Sequence, residues 1–272
     1  MMKTGWKTEL LLVLIFFSGI FQLYAQPNDR WHAGSATDLK GEVLSLYVFL
    51  EATTNPWTAE EKQVKLNDLS IAQQWLISQA NTWGVPLEFS TKPLGKAASL
   101  QLENIPTGTG SGSERTDWAM EILKKSGFRN ARQAYRKISR QTGFDNIQLI
   151  IFAKAGGISY AMRYAKNFKK RKFFMESVML YERYDNDAPM PVSAIIAHEI
   201  LHLYGAWDLY TTYAQTADRH QKAQELFPDD IMLRVGYELN HLKVDDLTAW
   251  LVGWNKTEQP IFEWFRPEDF KQ

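Results

Sequence analysis

One segment restricts the fold more than any other, a helical stretch from Pro191 to Leu203 that is apolar on most of its sides. Proline suits the first turn of a helix, because its missing N–H would have no intrahelical partner there. A helix that is apolar all round is buried rather than laid on the surface. The fold must therefore place His198, Glu199 and His202 in the interior or at the floor of a cleft.

The spacing of these three residues has a chemical meaning. His198 and His202 are four residues apart, so both side chains lie on one face of the helix. Two imidazole nitrogens in this arrangement can approach one metal ion at about 2.0–2.1 Å. Glu199 projects about 100° around the helix from His198, which suits a general base acting on a water rather than a third ligand. A metal ion would also offset the cost of burying these polar groups.

A catalytic zinc site needs three protein ligands and one open position. Gly205 follows the helix and can reverse the chain through a positive φ, which would swing Asp208 towards the two histidines. We therefore expect Asp208 to be the third ligand. Glu225 and Glu238 are the alternatives, because zinc accepts either type of carboxylate.

Here the chain resembles a known group of enzymes. From His198 to Asp208 it reads His-Glu-x-x-His-x-x-Gly-x-x-Asp, which resembles the zinc-binding motif of the metzincin peptidases with aspartate in place of the usual third histidine. This variant is similar to the snapalysin-type and immune-inhibitor-A-like secreted bacterial peptidases, and Asp208-Leu209-Tyr210 is similar to the ending in the latter group. The resemblance implies a Met-turn beneath the metal, for which Met232 is the candidate. It is specific only between residues 191 and 232.

The resemblance implies a secreted zinc-dependent endopeptidase with one catalytic Zn²⁺ held by His198, His202 and Asp208. Glu199 would take a proton from the zinc-bound water, which attacks a peptide carbonyl, and would return it to the leaving amine. Three alternatives stay open: a zinc-binding protein without proteolytic activity, a gluzincin-like peptidase with a downstream glutamate ligand, and a binding module in which the motif is accidental.

The chain departs from the family pattern in one further respect. Some metzincins carry a tyrosine two residues after the Met-turn methionine, whereas this chain has Arg234 there. The group that would stabilise the oxyanion is therefore not assigned by the motif. Tyr210, Tyr213 and Tyr237 are the candidates, although each of them also fits a packing role.

The fold class implied is α+β, a metzincin-like zincin fold that has a twisted mixed sheet with a backing helix, the active-site helix, a Met-turn and a C-terminal helix. Apolar and turn patterns predict strands at 43–51, 85–90, 147–153 and 173–181, and helices at 58–82, 115–125 and 131–142. The resemblance implies that the C-terminal helix is the stretch 239–254. The upper subdomain would span about 40–205 and the lower about 206–272. We expect a peptide substrate to pair with an edge strand at 173–181.

The first 25 residues have the pattern of a secretory signal peptide. Lys3 and Lys7 precede an apolar run over 10–17, and Ala25 stands where the composition turns polar. The run is short for a membrane span, which needs roughly 20 residues, although an uncleaved anchor stays the alternative. We therefore predict a signal peptide at 1–25, one peptidase domain at 26–272, and a secreted or periplasmic protein that is not stably inserted in a membrane.

Composition excludes several classes of partner and site. Lys plus Arg equals Asp plus Glu at 31 each, so the chain lacks the basic excess typical of nucleic-acid binding. It has no cysteine, which excludes disulfides, a cysteine nucleophile and a thiolate zinc ligand. The expected partner is a protein or peptide substrate.

Overall fold

A computed structural model describes residues 34–95, 98–103, 105, 112–163, 173–183, 192–212, 215–234 and 236–267, without the side chains of 112–117. The fold is mixed α/β, with a mostly parallel sheet and helices on both of its faces. The strands are β1 (Gly41–Glu51), β2 (Leu87–Pro93), β3 (Ser99–Gln101), β4 (Ile147–Gly156), β5 (Tyr160–Met162) and β6 (Ser177–Arg183). The helices are α1 (Ala59–Thr82), α2 (Gly112–Lys125), α3 (Ala131–Thr142), α4 (Val192–Leu203), α5 (Ala217–Leu226) and α6 (Asp246–Leu251).

The sheet has the order β2-β1-β4-β6-β5, and β3 pairs with the end of β1. All pairings are parallel except that of β5 with β6. Parallel strands need long crossover connections. Helix α1 connects β1 to β2, and α2 with α3 connects β3 to β4, both of which pair with β1. The expectation that strand 173–181 forms the edge is wrong, because β6 has a neighbour on each side. Within the part of the chain that the structure describes, the edge strand on this side is β5.

Alternating side chains of the central strands supply two separate cores. Val43 and Phe49 of β1 face one core with α1 and α4, whereas Leu44 and Leu46 face the other with α2 and α3. This division follows from the two-residue period of a strand, and it explains why β1 and β4 carry apolar residues on both faces. The two cores hold the sheet between two helical layers, and α4 belongs to the first of them.

Helix α1 supports α4 from the side. Thr58 and Glu61 form a capping box at its N-terminus, with Glu61 N–H donating to Thr58 Oγ1 at 3.2 Å and Thr58 N–H to Glu61 Oε2 at 2.7 Å. The helix also binds the C-terminal part of the chain. Its Trp75 donates from Nε1 to the carbonyl of Leu239 at 3.0 Å, and Trp83 to that of Val244 at 3.2 Å.

The predicted helix at 239–254 is wrong in its extent. A 3-10 turn over Leu239–His241 comes first, then four non-helical residues, and only Asp246–Leu251 is α-helical. The backbone of Lys243 explains the interruption. Its N–H donates to Asp229 O and its carbonyl accepts from Ile231 N–H, both at 3.0 Å, so neither group is available to a helix.

The two predicted subdomains share one core. Residues after 206, among them Trp250 and Phe262, belong to the same buried cluster as α1 and α4. Trp254 reaches back across the molecule, and its Nε1 donates to Leu39 O at 2.6 Å. The predicted signal peptide lies outside the described residues. None of the helices in the described part of the chain combines the length and the apolar composition that a membrane span requires.

Candidate metal centre

Helix α4 carries its polar residues into the interior, as the apolar pattern predicts. His198 is only 3% exposed and Glu199 only 7%. The helix ends at Leu203, and Gly205 has a φ of +105°, which confirms the predicted reversal of the chain. Backbone bonds close the turn, with Gly205 N–H donating to His202 O at 3.1 Å and Ala206 N–H to Leu201 O at 3.2 Å. The chain after the turn is thereby directed back towards the histidines.

Three potential ligand atoms converge beside this turn. The Nε2 atoms of His198 and His202 are 3.1 Å apart. Asp208 Oδ1 lies 3.3 Å from the first of these nitrogens and 3.1 Å from the second. Within the described residues this is the one group of three or more His, Cys, Asp and Glu side chains placed to share an ion. The structure therefore brings the three predicted ligands together, and metal binding itself stays a prediction.

Backbone carbonyls fix the orientation of both imidazole rings. Nδ1 of His198 lies 3.1 Å from Ile231 O, and Nδ1 of His202 lies 2.9 Å from Ala206 O. A carbonyl only accepts hydrogen bonds, so each Nδ1 carries the proton. In the neutral form of each ring, the lone pair is therefore on Nε2. This atom faces the shared centre, as metal-binding histidines require.

The spacing of the three atoms fits a small tetrahedral ion. Zinc with nitrogen and oxygen ligands at about 2.0–2.1 Å has ligand–ligand separations of about 3.3–3.4 Å when it is tetrahedral. The observed separations of 3.1, 3.1 and 3.3 Å are close to these values. Two imidazoles and one carboxylate also form a common ligand set of catalytic zinc, which leaves the fourth position to water or substrate. The residues present therefore fit zinc.

The charges of the site support the same arrangement. Burial alone would lower the pKa of His198, but the hydrogen bond to Asp208 and the negative charges of Glu199 and Asp208 raise it to about 9. Burial alone would raise the pKa of Asp208, but His202 and His198 hold it well below its ordinary range. Asp208 is therefore an anion at neutral pH. Without an ion, the proton on His198 carries the positive charge that Asp208 attracts, and a bound cation would replace that proton.

Glu199 lies on the same helix but outside the ligand group. Burial raises the pKa of its carboxyl above the ordinary value, and the charges of His198 and His202 oppose this shift. The backbone N–H of Ala161 on β5 faces this carboxylate and lowers its pKa slightly. A raised pKa brings a carboxylate closer to the working range of a general base at neutral pH. The site thus places a candidate base between the ligand group and the edge strand.

The candidate Met-turn lies against the same residues. Met232 is fully buried in the core that contains α4. Its carbonyl accepts a hydrogen bond from Leu209 N–H at 2.9 Å, one residue beyond Asp208. The preceding carbonyl, that of Ile231, binds His198 Nδ1. The turn therefore supports both sides of the ligand group, which is compatible with the predicted role of Met232.

The rival ligands lie elsewhere. Glu225 is exposed on α5, and its carboxylate pairs with Lys222 at 2.7 Å. Glu238 is exposed, and neither glutamate belongs to the group formed by the two histidines. The geometry therefore does not support a downstream glutamate as the third ligand.

The oxyanion candidates are placed differently from one another. The ring of Tyr210 lies 6.2 Å from that of His198, measured between centroids. Tyr237 is 51% exposed and its ring stacks under the guanidinium of Arg234, 5.6 Å away. Tyr213 lies outside the described residues. Of the three, Tyr210 is the one that the described contacts place beside the ligand group.

Sequence reasoning missed the groups that orient the site. Ala161, Ala206 and Ile231 act through backbone atoms, which every residue type supplies, so no sequence signal points to them. Asp230 is different, because its side chain is fully buried beside Met232. It belongs to the segment Pro228-Asp229-Asp230, whose residue types are typical of a turn. The available signal was its place two residues before Met232, the candidate Met-turn residue.

Comparison of the chain with models of known protein families gave no match, and comparison with curated proteins gave none either.

Proposed function

We propose that this protein is a zinc metallopeptidase with a metzincin-like fold. The observation that carries the proposal is the convergence of His198 Nε2, His202 Nε2 and Asp208 Oδ1 at tetrahedral spacing, with Glu199 on the same helix. The mostly parallel sheet with one antiparallel edge strand, the supporting helix α1 and the buried Met232 are compatible with that fold. The first 25 residues support secretion or a periplasmic location.

His198, His202 and Asp208 would hold the ion. When bound, zinc supplies a Lewis acid that polarises a carbonyl and lowers the pKa of water from 15.7 to about 7. The protein's part is to keep both Nε2 lone pairs and one carboxylate oxygen aimed at one point. The carbonyls of Ile231 and Ala206 do this for the imidazoles, and the turn at Gly205 does it for the carboxylate.

Glu199 is the group that would move the proton. Its carboxylate accepts a proton from the attacking water and passes it to the leaving amine. The backbone N–H of Ala161 faces that carboxylate from β5. Its raised pKa means that it holds the proton more tightly than an exposed glutamate would, which suits a group that must accept it from one atom and give it to another.

A peptide substrate would extend the sheet at β5. Among the described residues no strand pairs with the outer side of β5, and the N–H of its Ala161 faces Glu199. Main-chain hydrogen bonds to an edge strand would place the scissile bond beside the base. Peptide substrates N-methylated at single positions near the cleavage point should then show a higher KM at alternate positions, and equal KM values at every position would argue against strand addition.

The decisive test of the proposal is Glu199→Gln. Glutamine keeps the shape of the side chain and cannot accept the proton, so we expect kcat on an unfolded protein substrate to fall by about 10²–10⁴-fold. Zinc content should stay at the parent value, because Glu199 is outside the ligand group. Glu225→Gln, an exposed glutamate paired with Lys222, is the matched control and should leave kcat unchanged.

Two results would speak against the proposal. Undiminished hydrolysis by Glu199→Gln would remove the residue from the mechanism. Zinc bound by the parent, with no hydrolysis of any peptide or protein in a broad library, would favour a zinc-binding protein without proteolytic activity.

A further inference from the structure

Asp230 is fully buried and lies at the centre of the turn that supports the histidines. Its carboxylate accepts three hydrogen bonds. Oδ1 accepts from Met232 N–H at 2.7 Å and from Thr248 Oγ1 at 3.0 Å, and Oδ2 accepts from Asp245 N–H at 2.8 Å. Its carbonyl accepts from the N–H groups of Leu233 and Arg234 at 2.9 and 3.0 Å. One side chain thus joins the turn to the start of α6.

The turn at 230–232 also binds two parts of the ligand group. Ile231 O binds Nδ1 of His198, and Met232 O binds the N–H of Leu209, next to Asp208. Both carbonyls belong to the two residues that directly follow Asp230. A shift of the peptide between them would therefore move the orientation of one imidazole and the position of the neighbouring carboxylate together. Groups that orient metal ligands in this way commonly change metal affinity 10–100-fold when they are removed.

We infer that Asp230 is a positioning residue for the metal centre. Its carboxylate links the 231–232 backbone to the start of α6, and this backbone binds His198 and the segment that carries Asp208. This inference rests on the proposed zinc site and names a residue that touches neither the ion nor the substrate.

The three donors require an oxygen acceptor at both ends of this side chain. Two backbone N–H groups and one hydroxyl all point at it, so it must accept at both oxygens. Asparagine has nearly the same shape but presents an NH₂ group at one of them. It therefore leaves either the Met232 or the Asp245 N–H facing a donor, which costs more than the loss of one bond. Asp230→Asn is consequently a sharp probe.

The test measures metal binding and its geometry without relying on activity. Zinc affinity is measured by competition with a chelator, and the visible absorption spectrum of the Co²⁺-loaded protein reports the coordination geometry. We expect Asp230→Asn to bind zinc at least tenfold more weakly and to show a shifted Co²⁺ spectrum. Thr248→Val removes one of the three donors and should produce a smaller change in the same direction, which provides a second reading if Asp230→Asn folds poorly.

Two controls separate positioning from charge and from general stability. Asp246→Asn also removes one negative charge, at the start of α6. Among the contacts described, the carboxylate of Asp246 accepts a hydrogen bond only from Asn255 Nδ2, at 3.3 Å. Thr58→Ala removes the capping box of α1 and destabilises the fold away from the site. Both should keep the parent's zinc affinity and Co²⁺ spectrum.

The outcomes are distinct. Parent-like affinity and spectrum in folded Asp230→Asn and Thr248→Val would overturn the positioning role and leave the zinc site standing. Equal losses in Thr58→Ala would assign the effect to stability and overturn the role as well. No binding of Zn²⁺ or Co²⁺ by the parent would instead overturn the proposed function, and this inference with it.

Discussion

The histidines of α4 differ from His220 in their hydrogen-bond partners. His198 and His202 each direct Nδ1 to a carbonyl, so both present Nε2 to one point. His220 instead pairs its Nδ1 with Thr211 Oγ1 at 3.0 Å near the surface. The four-residue spacing on an apolar helix predicted the first two from the sequence. The carbonyls that orient them could not be predicted, because they belong to segments 4 and 33 residues further along the chain.

The pKa of Asp230 makes the stability of the fold depend on pH. Burial raises its pKa to about 7 despite three hydrogen bonds that lower it, and Asp245 adds a negative charge nearby. The unfolded carboxyl titrates near 3.8, so between pH 4 and 7 the folded protein holds a proton that the unfolded chain has released. Stability from this group is therefore present at low pH and lost as the pH rises towards 7.

The measurement is urea unfolding of the parent and Asp230→Asn in a chelator at pH 4.5, 6 and 7.5. The free energy of unfolding of the parent, relative to the variant, should fall by on the order of 2 kcal/mol over this range. Other groups near Asp230, namely Asp229, Lys243 and Asp245, are present in both proteins. A difference that stays constant with pH would contradict the raised pKa.

At the scale of elements, the end of α4 decides where Asp208 lies. Gly205 adopts a φ of +105°, a region that costs residues with a Cβ about 1–2 kcal/mol. Gly205→Ala should therefore lower the free energy of unfolding by about that amount and also weaken zinc binding, since the turn sets the third ligand. Chelator competition and urea unfolding measure the two effects.

Gly143→Ala is the matched control for this change. Gly143 ends α3 with a φ of +82°, and a Cβ there would have open space around it. We expect a similar loss of stability with no change in zinc affinity. Equal zinc affinity in Gly205→Ala and the parent would show that the turn does not set the position of Asp208.

Local signals explain which elements the sequence predicted well. Helix α3 runs from Ala131 to Thr142 as predicted, because Asn130 caps its start and Gly143 ends it in the left-handed region. The short strand β5 and the split of the 239–254 segment were not predicted. Both depend on distant partners, β6 for the first and the turn at 229–231 for the second. Local composition carries no information about such pairings.

At the scale of the whole molecule, the proposed ion would lie where α4, the turn at 229–232 and α6 meet. The ligands come from α4 and from the turn after it, and the 231–232 carbonyls hold them against α6. The absence of cysteine leaves the chain without disulfides, so packing and any bound ion must stabilise the fold. The sequence predicted the ligand group and the mixed sheet, but not that one core would span both predicted subdomains.

Zinc should therefore raise the melting temperature. A ligand at 100 times its Kd stabilises the folded state by about 2.7 kcal/mol. For a domain of this size that corresponds to a rise of about 5–11 °C. Calorimetry of the parent and Asp208→Ala, each with chelator and with added zinc, measures the effect. A rise of the same size in Asp208→Ala would place the stabilising ion elsewhere.

Elemental analysis of zinc per chain, after reconstitution, tests the central proposal most directly. The parent, Asp208→Ala and Glu238→Ala are compared after removal of loosely bound ions. We predict about one zinc per chain in the parent and in Glu238→Ala, as a catalytic site requires, and its loss in Asp208→Ala. A parent that retains no zinc, or an Asp208→Ala variant that retains it while Glu238→Ala loses it, would contradict the site formed by His198, His202 and Asp208.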